Sequence, residues 1–184
     1  MEIADVIRTP RLLMRRPRRD DAQAVFTGWA NDPVATRYLS WPTHESIADT
    51  IEFVGFCDEQ WTRWPFGPLL IEDLETGVIL GSSGLSFETD QRAEVGYVFA
   101  TSAWGHGYDT EAVEALLVTA RQMAPLSLYA HVHPDNVVSV RVLEKCGFAR
   151  EGRVEPGKSF PNLRGNQLCD AVVYSHDIVS RAAA

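Results

Sequence analysis

The chain has 184 residues, 45% hydrophobic and 23% charged, with a formal net charge of −8. That length suits a single domain over residues 1–184 with a sizeable core, and no apolar run approaches the ~20 residues that cross a bilayer. The anionic balance disfavours general nucleic-acid binding and attracts cations, amines included, with plain solubility as the competing reading.

In chain order, RLLMRR (11–16) reads as a first strand. Asp20 or Asp21 caps a helix running through Ala30, with Ala24, Val25 and Gly28 or Trp29 in helical phase. Pro33 opens a short turn containing Val34 and Tyr38, and SWPTHES (40–46) is a loop. Thr43 or Ser46 then caps a longer helix over residues 47–63, with Ile51, Val54 and Cys57 or Asp58 on one face. The period changes to strands at 65–73, 76–88 and 92–100, with residues 75–77 as the turn between the first two.

A helix over 109–124 carries an apolar stripe of Ala112, Val113, Leu116, Leu117 and Ala120, and Pro125 stops it. Residues 126–133 alternate as a strand. A helix over 136–146 turns Val140 and Leu143 inward and ends at Gly147. Strands over 148–154 and 167–178 close the chain, joined by a turn-rich, mobile linker at 155–165. This is the layout of a mixed α/β (α+β) sheet with helices on both faces.

The stretch ATSAWGHGYDTEA (100–112) sets a glycine turn between a strand and an amphipathic helix. Glycines let backbone approach a ligand closely, and the first N–H groups of a helix have no partner within it. Together they suit a phosphate. There is no Gly-Lys-Ser/Thr, so it is not a P-loop, and Gly105-His106-Gly107 lacks the third glycine of a dinucleotide fingerprint. An ordinary tight turn before a helix is the competing reading.

Further on, PDNVVSVRVLEKCGF (134–148) changes the balance. Together with WGHGYDTEA it resembles the GNAT superfamily of acetyl-CoA-dependent N-acetyltransferases, and more closely its RimJ/RimL-type branch. TPRLLMR, DPVATRYLSWPTHES and the closing CDAVVYS are similar to that branch too, so the resemblance covers nearly the whole chain. It implies a mostly antiparallel central sheet flanked by helices and splayed between the fourth and fifth strands, counted from RLLMRR.

The resemblance also implies a binding site for acetyl-CoA. The pyrophosphate would lie on Trp104, Gly105, His106, Gly107, Tyr108, Asp109 and Thr110, and the pantetheine arm beside the backbone of Tyr97, Val98, Phe99 and Ala100. Asn136 matches the asparagine that bonds that arm; it can also cap its helix. Two departures stand out. Asp109 replaces the usual Gly or Ala and puts a carboxylate where an anion docks, so its side chain is expected to turn away. Leu143 stands where many members carry a tyrosine acid, which shifts attention to Ser139, one turn beyond Asn136, as proton donor to the leaving thiolate. A helix serine bonded back to its own backbone is the alternative for Ser139.

Glu94, on the strand that should flank the acetyl group, is the candidate base; an ordinary surface carboxylate is the alternative. His131 and His133 share a strand face and lack a clear third ligand for a metal, so no metal is expected and a substrate-side or structural role is. Trp29, Tyr38, Trp41, His133 and Asp170 are the candidate acceptor contacts, with Tyr174, Trp61 and Trp64 behind them; aromatic faces hold cations well, although core packing claims many of them.

The implied activity is acetyl transfer to a primary amine by direct attack in a ternary complex. The acceptor is a small cationic amine (aminoglycoside-like) or a protein N-terminus. The alternative is a catalytically inactive GNAT-fold CoA-binding or sensor protein. MEIADVIRTP lacks the basic-then-apolar layout of a signal peptide. Cys57, Cys146 and Cys169 are odd in number and far apart. Both fit a cytoplasmic location. The branch likeness is compatible with a homodimer.

Overall fold

The computed structural model describes residues 5–123, 126–163 and 168–178. Its main elements are β1 (Val6–Arg8), β2 (Leu12–Arg15), α1 (Ala22–Val25), α2 (Ile47–Arg63), β3 (Leu69–Asp73), β4 (Ile79–Thr89), β5 (Arg92–Phe99), α3 (Tyr108–Ala120), β6 (Leu126–Val132), α4 (Val137–Lys145), β7 (Ala149–Ser159) and β8 (Leu168–Ile178). The strands form one sheet in the order β1-β2-β3-β4-β5-β6-β8-β7. All pairings are antiparallel except that of β5 with β6.

The parallel pair touches only through Arg92–Glu94 against Ser127–Tyr129, and beyond that the two strands part. These are the fourth and fifth strands of the sequence reading, so the splay lies where expected. They rank fifth and sixth because β1, three residues that end on Arg8, gave no pattern to read.

Successive side chains of β3 point to opposite faces of the sheet, as the pleat requires, and both faces are buried. Leu69 and Ile71 join a large core with Ala112, Val113 and Leu116 of α3 and Leu143 of α4, whereas Leu70 joins a second cluster with Val25 and Trp29. Helices therefore cover both faces. α2 occupies the expected residues because Ser46 caps it, with the Asp49 carboxylate accepting the Ser46 and Glu45 amides at 2.9 and 2.8 Å.

Several expectations need correction. The helix through Ala30 is a 3₁₀ turn (Arg19–Asp21), α1 and a π turn (Phe26–Ala30) in succession. Its inward face carries Ala22, Val25 and Trp29, leaving Ala24 exposed. Asp21 holds the N-cap position of α1, but its carboxylate accepts the Arg18 amide at 2.6 Å and makes no cap bond to α1. On α2 the buried position is Thr50 rather than Ile51, because the Thr50 hydroxyl has a partner in His44 Nδ1 at 2.8 Å. The β3–β4 turn begins at Asp73, whose carboxylate gathers the Glu75 and Thr76 amides at 3.1 and 2.8 Å.

β7 runs on to Ser159 and so takes over the first half of the expected linker. It is the edge strand of the sheet and carries two register shifts. Both features accommodate Pro156, which cannot donate a ladder bond. The helix stop at Pro125 and the linker end at 164–165 lie outside the described residues.

Candidate active site

Between the splayed strands opens a cavity of about 830 Å³. β5, β6 and the start of α4 line its base, and the segment 38–45, α2 and Phe160 close over it. Five expected site residues line it directly on the sheet side: Glu94, Tyr97, Val98, Asn136 and Ser139.

Parallel register sets Glu94 opposite Tyr129, and the Glu94 carboxylate reaches His131, two residues on. Nδ1 of His131 lies 2.8 Å from Glu94 Oε1. A carboxylate only accepts, so Nδ1 carries the hydrogen and Nε2 of the neutral ring is left to take a proton. His131 is well buried and Glu94 more open, at 13% and 39% side-chain exposure.

On the other side of the opening, the Tyr97 hydroxyl lies 2.7 Å from Ser139 Oγ and donates to the Ser139 carbonyl at 3.1 Å. The Ser139 hydroxyl thus faces β5 across the opening. Burial pushes the Tyr97 phenol well above the usual tyrosine range, with the Ser139 hydrogen bond opposing it only in part. Asn136 caps α4, its Oδ1 accepting the Ser139 amide at 3.3 Å.

The glycine turn lies beyond this cavity. Gly105 and Gly107 have φ of 78° and 76°, a region that a Cβ disfavours. Gly107 is the N-cap of α3, and its carbonyl accepts the Glu111 amide at 3.1 Å. The amides of Tyr108, Asp109 and Thr110 therefore have no acceptor within the helix. Arg11 clamps the turn from β2's approach: Nη1 donates to the His106 carbonyl at 2.9 Å, Nε to Glu111 Oε2 at 2.7 Å, and the guanidinium stacks 4.5 Å from the Tyr108 ring centre. Tyr108 OH donates to Asp73 at 3.3 Å, and the exposed Trp104 anchors its indole N–H on the Phe99 carbonyl at 3.0 Å. Ala100, next along from Phe99, is buried and donates its amide to Leu80 at 2.8 Å.

Asp109 does not turn away. Its Oδ1 accepts the Thr110 amide at 2.7 Å, so the carboxylate occupies one of the N–H groups expected to be left for a phosphate. The helix N-terminus attracts any anion, and in the free protein its own side chain is the nearest.

Of the acceptor candidates, Tyr38, Trp41 and His133 line the cavity. The Tyr38 and His133 rings stack with centres 5.0 Å apart, and Phe160 meets His133 edge-on at 5.0 Å. Trp29 is fully buried behind the wall, against Trp41 and Phe53, and cannot touch an acceptor. Asp170 is exposed on β8 and does not line the cavity. Tyr174 is buried and donates to Glu144 of α4 at 3.1 Å. Trp61 donates to the Pro68 carbonyl at 2.8 Å, and Trp64 stacks on Phe87. Both serve the core.

Sequence reasoning missed His44, Phe53 and Phe160 as lining residues. Phe160 stood in a stretch read as linker, and only the β7 extension brings it back. Burial depresses the His44 pKa, with Asp49 opposing, so the ring is held neutral. Among the described residues no three His, Cys, Asp or Glu side chains cluster as a metal would need, and no helix is long and apolar enough to cross a membrane.

Residues 11–149 match the acetyltransferase (GNAT) domain. The uncharacterized N-acetyltransferase YnaD of Bacillus subtilis (strain 168) is 34% identical over 171 residues, 92% of this chain and 95% of its own. A GNAT-family acetyltransferase from Bacillus anthracis superposes with a TM-score of 0.78 at 25% identity, over 94% of this chain and 98% of that one. RimL, a ribosomal L7/L12 α-N-protein acetyltransferase solved with coenzyme A, shares the fold at a TM-score of 0.81 and 18% identity, over 94% and 98% of the two chains. By the domain match and the similarity to YnaD, the chain belongs to the GNAT family of acetyl-CoA-dependent N-acetyltransferases.

Proposed function

We propose that the chain transfers the acetyl group of acetyl-CoA to a primary amine by direct attack in a ternary complex, as a RimJ/RimL-like member of its family. One observation carries this reading: Glu94 with His131, and Tyr97 with Ser139, form two hydrogen-bonded pairs that face one cavity. The free amides of Tyr108 and Asp109 suit a pyrophosphate, and the edge of β5 beyond Glu94, unpaired by β6, suits an extended amide-bearing arm. Acetyl-CoA supplies an acetyl carbon on a sulfur leaving group.

An amine arrives protonated and must lose a proton before it can attack. His131 Nε2 takes that proton, and Glu94 stabilises the imidazolium that results. As the C–N bond forms and the C–S bond breaks, Ser139 Oγ gives the sulfur its proton, and the second proton, which the nitrogen sheds as it becomes an amide, restores the Tyr97–Ser139 pair. Burial keeps the Tyr97 phenol protonated, so it holds the Ser139 hydroxyl in place as a neutral hydrogen-bond partner.

On the acceptor side, Glu45, Asp49 and Glu52 line the cavity, and no Lys or Arg among the described residues does. With Tyr38 and Trp41 beside them, this supports a small cationic amine, aminoglycoside-like in charge, over a protein N-terminus. Release of free CoA across a panel of amines, set beside acetyl-CoA calorimetry, tests the reading. Turnover with at least one small polycation is the expected result. No acetyl-CoA binding in the micromolar range would overturn it.

Asp109 favours a second reading, a GNAT-fold CoA-binding or sensor protein without catalysis, because its carboxylate competes for the Thr110 amide. Binding of acetyl-CoA with no thiol release from any amine would select it.

A further inference from the structure

The acceptor side of the cavity is built on the segment 36–44, which contains no regular helix or strand. Such a segment has few backbone bonds of its own to hold Tyr38 and Trp41 in place. Beside the amides of Leu39 and His44 bonding the Thr36 and Ala30 carbonyls, a single side chain from the far end of the chain ties it down. Asn162, in the turn after β7, accepts the Thr43 amide at 2.7 Å and the Thr43 hydroxyl at 3.1 Å through Oδ1. Through Nδ2 it donates to the Thr36 carbonyl at 2.7 Å and the Trp41 carbonyl at 2.9 Å.

The orientation of the amide is fixed by these partners. Two carbonyls can only accept and a backbone N–H can only donate. All four hydrogen-bonding positions of the amide are used, and three of its four partners are backbone atoms that bracket Tyr38 and Trp41. Inside the loop, Thr36 is fully buried and its hydroxyl meets that of Thr43 at 2.6 Å. The same turn carries Phe160, which packs edge-on against His133, itself stacked on Tyr38. One turn therefore touches the acceptor wall twice, by an amide clasp and by an aromatic contact.

We propose that Asn162 is the positioning residue of the acceptor site: its amide locks the segment 36–44, and with it the Tyr38 and Trp41 rings, into the geometry that receives the amine. The assignment of this half of the cavity to the acceptor rests on the proposed function, whereas the clasp itself does not.

The test uses Asn162→Ala and Asn162→Asp. Aspartate has nearly the same shape and keeps the two Thr43 bonds, but it sets a carboxylate oxygen against the Thr36 and Trp41 carbonyls. If the donor pattern matters, Asp fails as badly as Ala. If only bulk matters, Asp is nearly silent. Hydrogen exchange in the free protein should quicken at least tenfold over residues 36–44 in both variants and stay unchanged over α3. Acetyl-CoA affinity should remain within threefold. With the best amine from the panel, KM should rise at least tenfold while kcat stays within threefold.

Should Asn162→Ala fail to fold, Thr43→Val removes only a hydroxyl from the clasp and should quicken the same exchange about threefold. Wild-type exchange in the Asp variant, or in Thr43→Val, overturns the proposal. So does quickened exchange spread equally over α3. If no amine is turned over, the exchange result still decides the clasp, and the failure falls on the transfer reading alone.

Discussion

The Tyr97 hydroxyl and Ser139 Oγ lie 2.7 Å apart, joining β5 to α4 across the mouth of the splay. Leu143 leaves the usual acid position of this helix without a proton, and in the proposed mechanism this pair supplies one a turn earlier. Ser139→Ala should lower kcat by about 10–100-fold, since positioned proton donors contribute about 10²–10⁴-fold and Tyr97 can still act through water. Acetyl-CoA affinity should stay within threefold. Tyr97→Phe, which leaves the serine hydroxyl without its partner, should fall between wild type and Ser139→Ala. An unchanged kcat in both variants removes the pair from the chemistry.

Glu94 and His131 pose a different question, because the proposed mechanism uses their hydrogen-bonded pair as one device. Each single substitution, Glu94→Gln or His131→Ala, should reduce kcat/KM by about 10²-fold. The double variant should be no worse than the poorer single one, because groups that work as a unit are strongly non-additive. Steady-state kinetics on the four proteins completes the cycle. Losses that multiply would mean that the two residues serve separate roles.

How much of this was legible in the sequence depended on whether the signal was local. α2 was readable to its ends because a capping serine precedes a residue pattern that returns every turn. The glycine turn was readable because Gly105 and Gly107 mark positive φ. Glu94 was readable as a residue of the strand beside the splay, where it lines the cavity, but its bond to His131 depends on the parallel register of two strands separated by a helix. Nothing in either strand states that register. Trp29 and Trp41 look alike in sequence, and only the second faces the cavity, because the π turn swings Trp29 into the core. Asn162 was out of reach altogether: its partners lie 119 to 126 residues away, in a segment with no periodicity of its own.

The proposed pyrophosphate site would set the Asp109 carboxylate and an incoming phosphate in competition for the Thr110 amide. Two unit charges about 4 Å apart repel by roughly 4 kcal/mol at an effective dielectric near 20, so the side chain must leave or affinity must suffer. Asp109→Asn keeps the shape and removes the charge. It should tighten acetyl-CoA about tenfold by calorimetry at low ionic strength and less at high salt, where surface charges are screened. The folded state should lose about 0.5 kcal/mol, the worth of a carboxylate at a helix N-terminus. An unchanged Kd at low salt would show that the carboxylate swings clear at no cost.

Arg15 offers a stability test that is independent of the chemistry. Its guanidinium bonds both oxygens of Asp21 at 2.8 Å and also pairs with Glu72, with all three side chains at 12–15% exposure. Burial by itself would raise the Asp21 carboxyl, but hydrogen bonds from the Arg15 side chain and the Arg18 amide outweigh it and hold the pKa below its ordinary 3.8. The unfolded chain therefore binds this proton at higher pH than the folded one. The stabilisation is complete above the ordinary value and is lost as pH falls through the folded value. Arg15→Met strands two carboxylates without a counter-charge, which should cost about 3 kcal/mol at pH 7. With Arg15 gone, burial acts on Asp21 with less opposition and its carboxyl rises, so acid relieves the variant while it weakens the wild type. Urea unfolding between pH 7 and pH 3 should show the gap between the two proteins closing as pH falls. A gap that stays constant would mean that Arg15 contributes by packing its aliphatic stem and not by its charge.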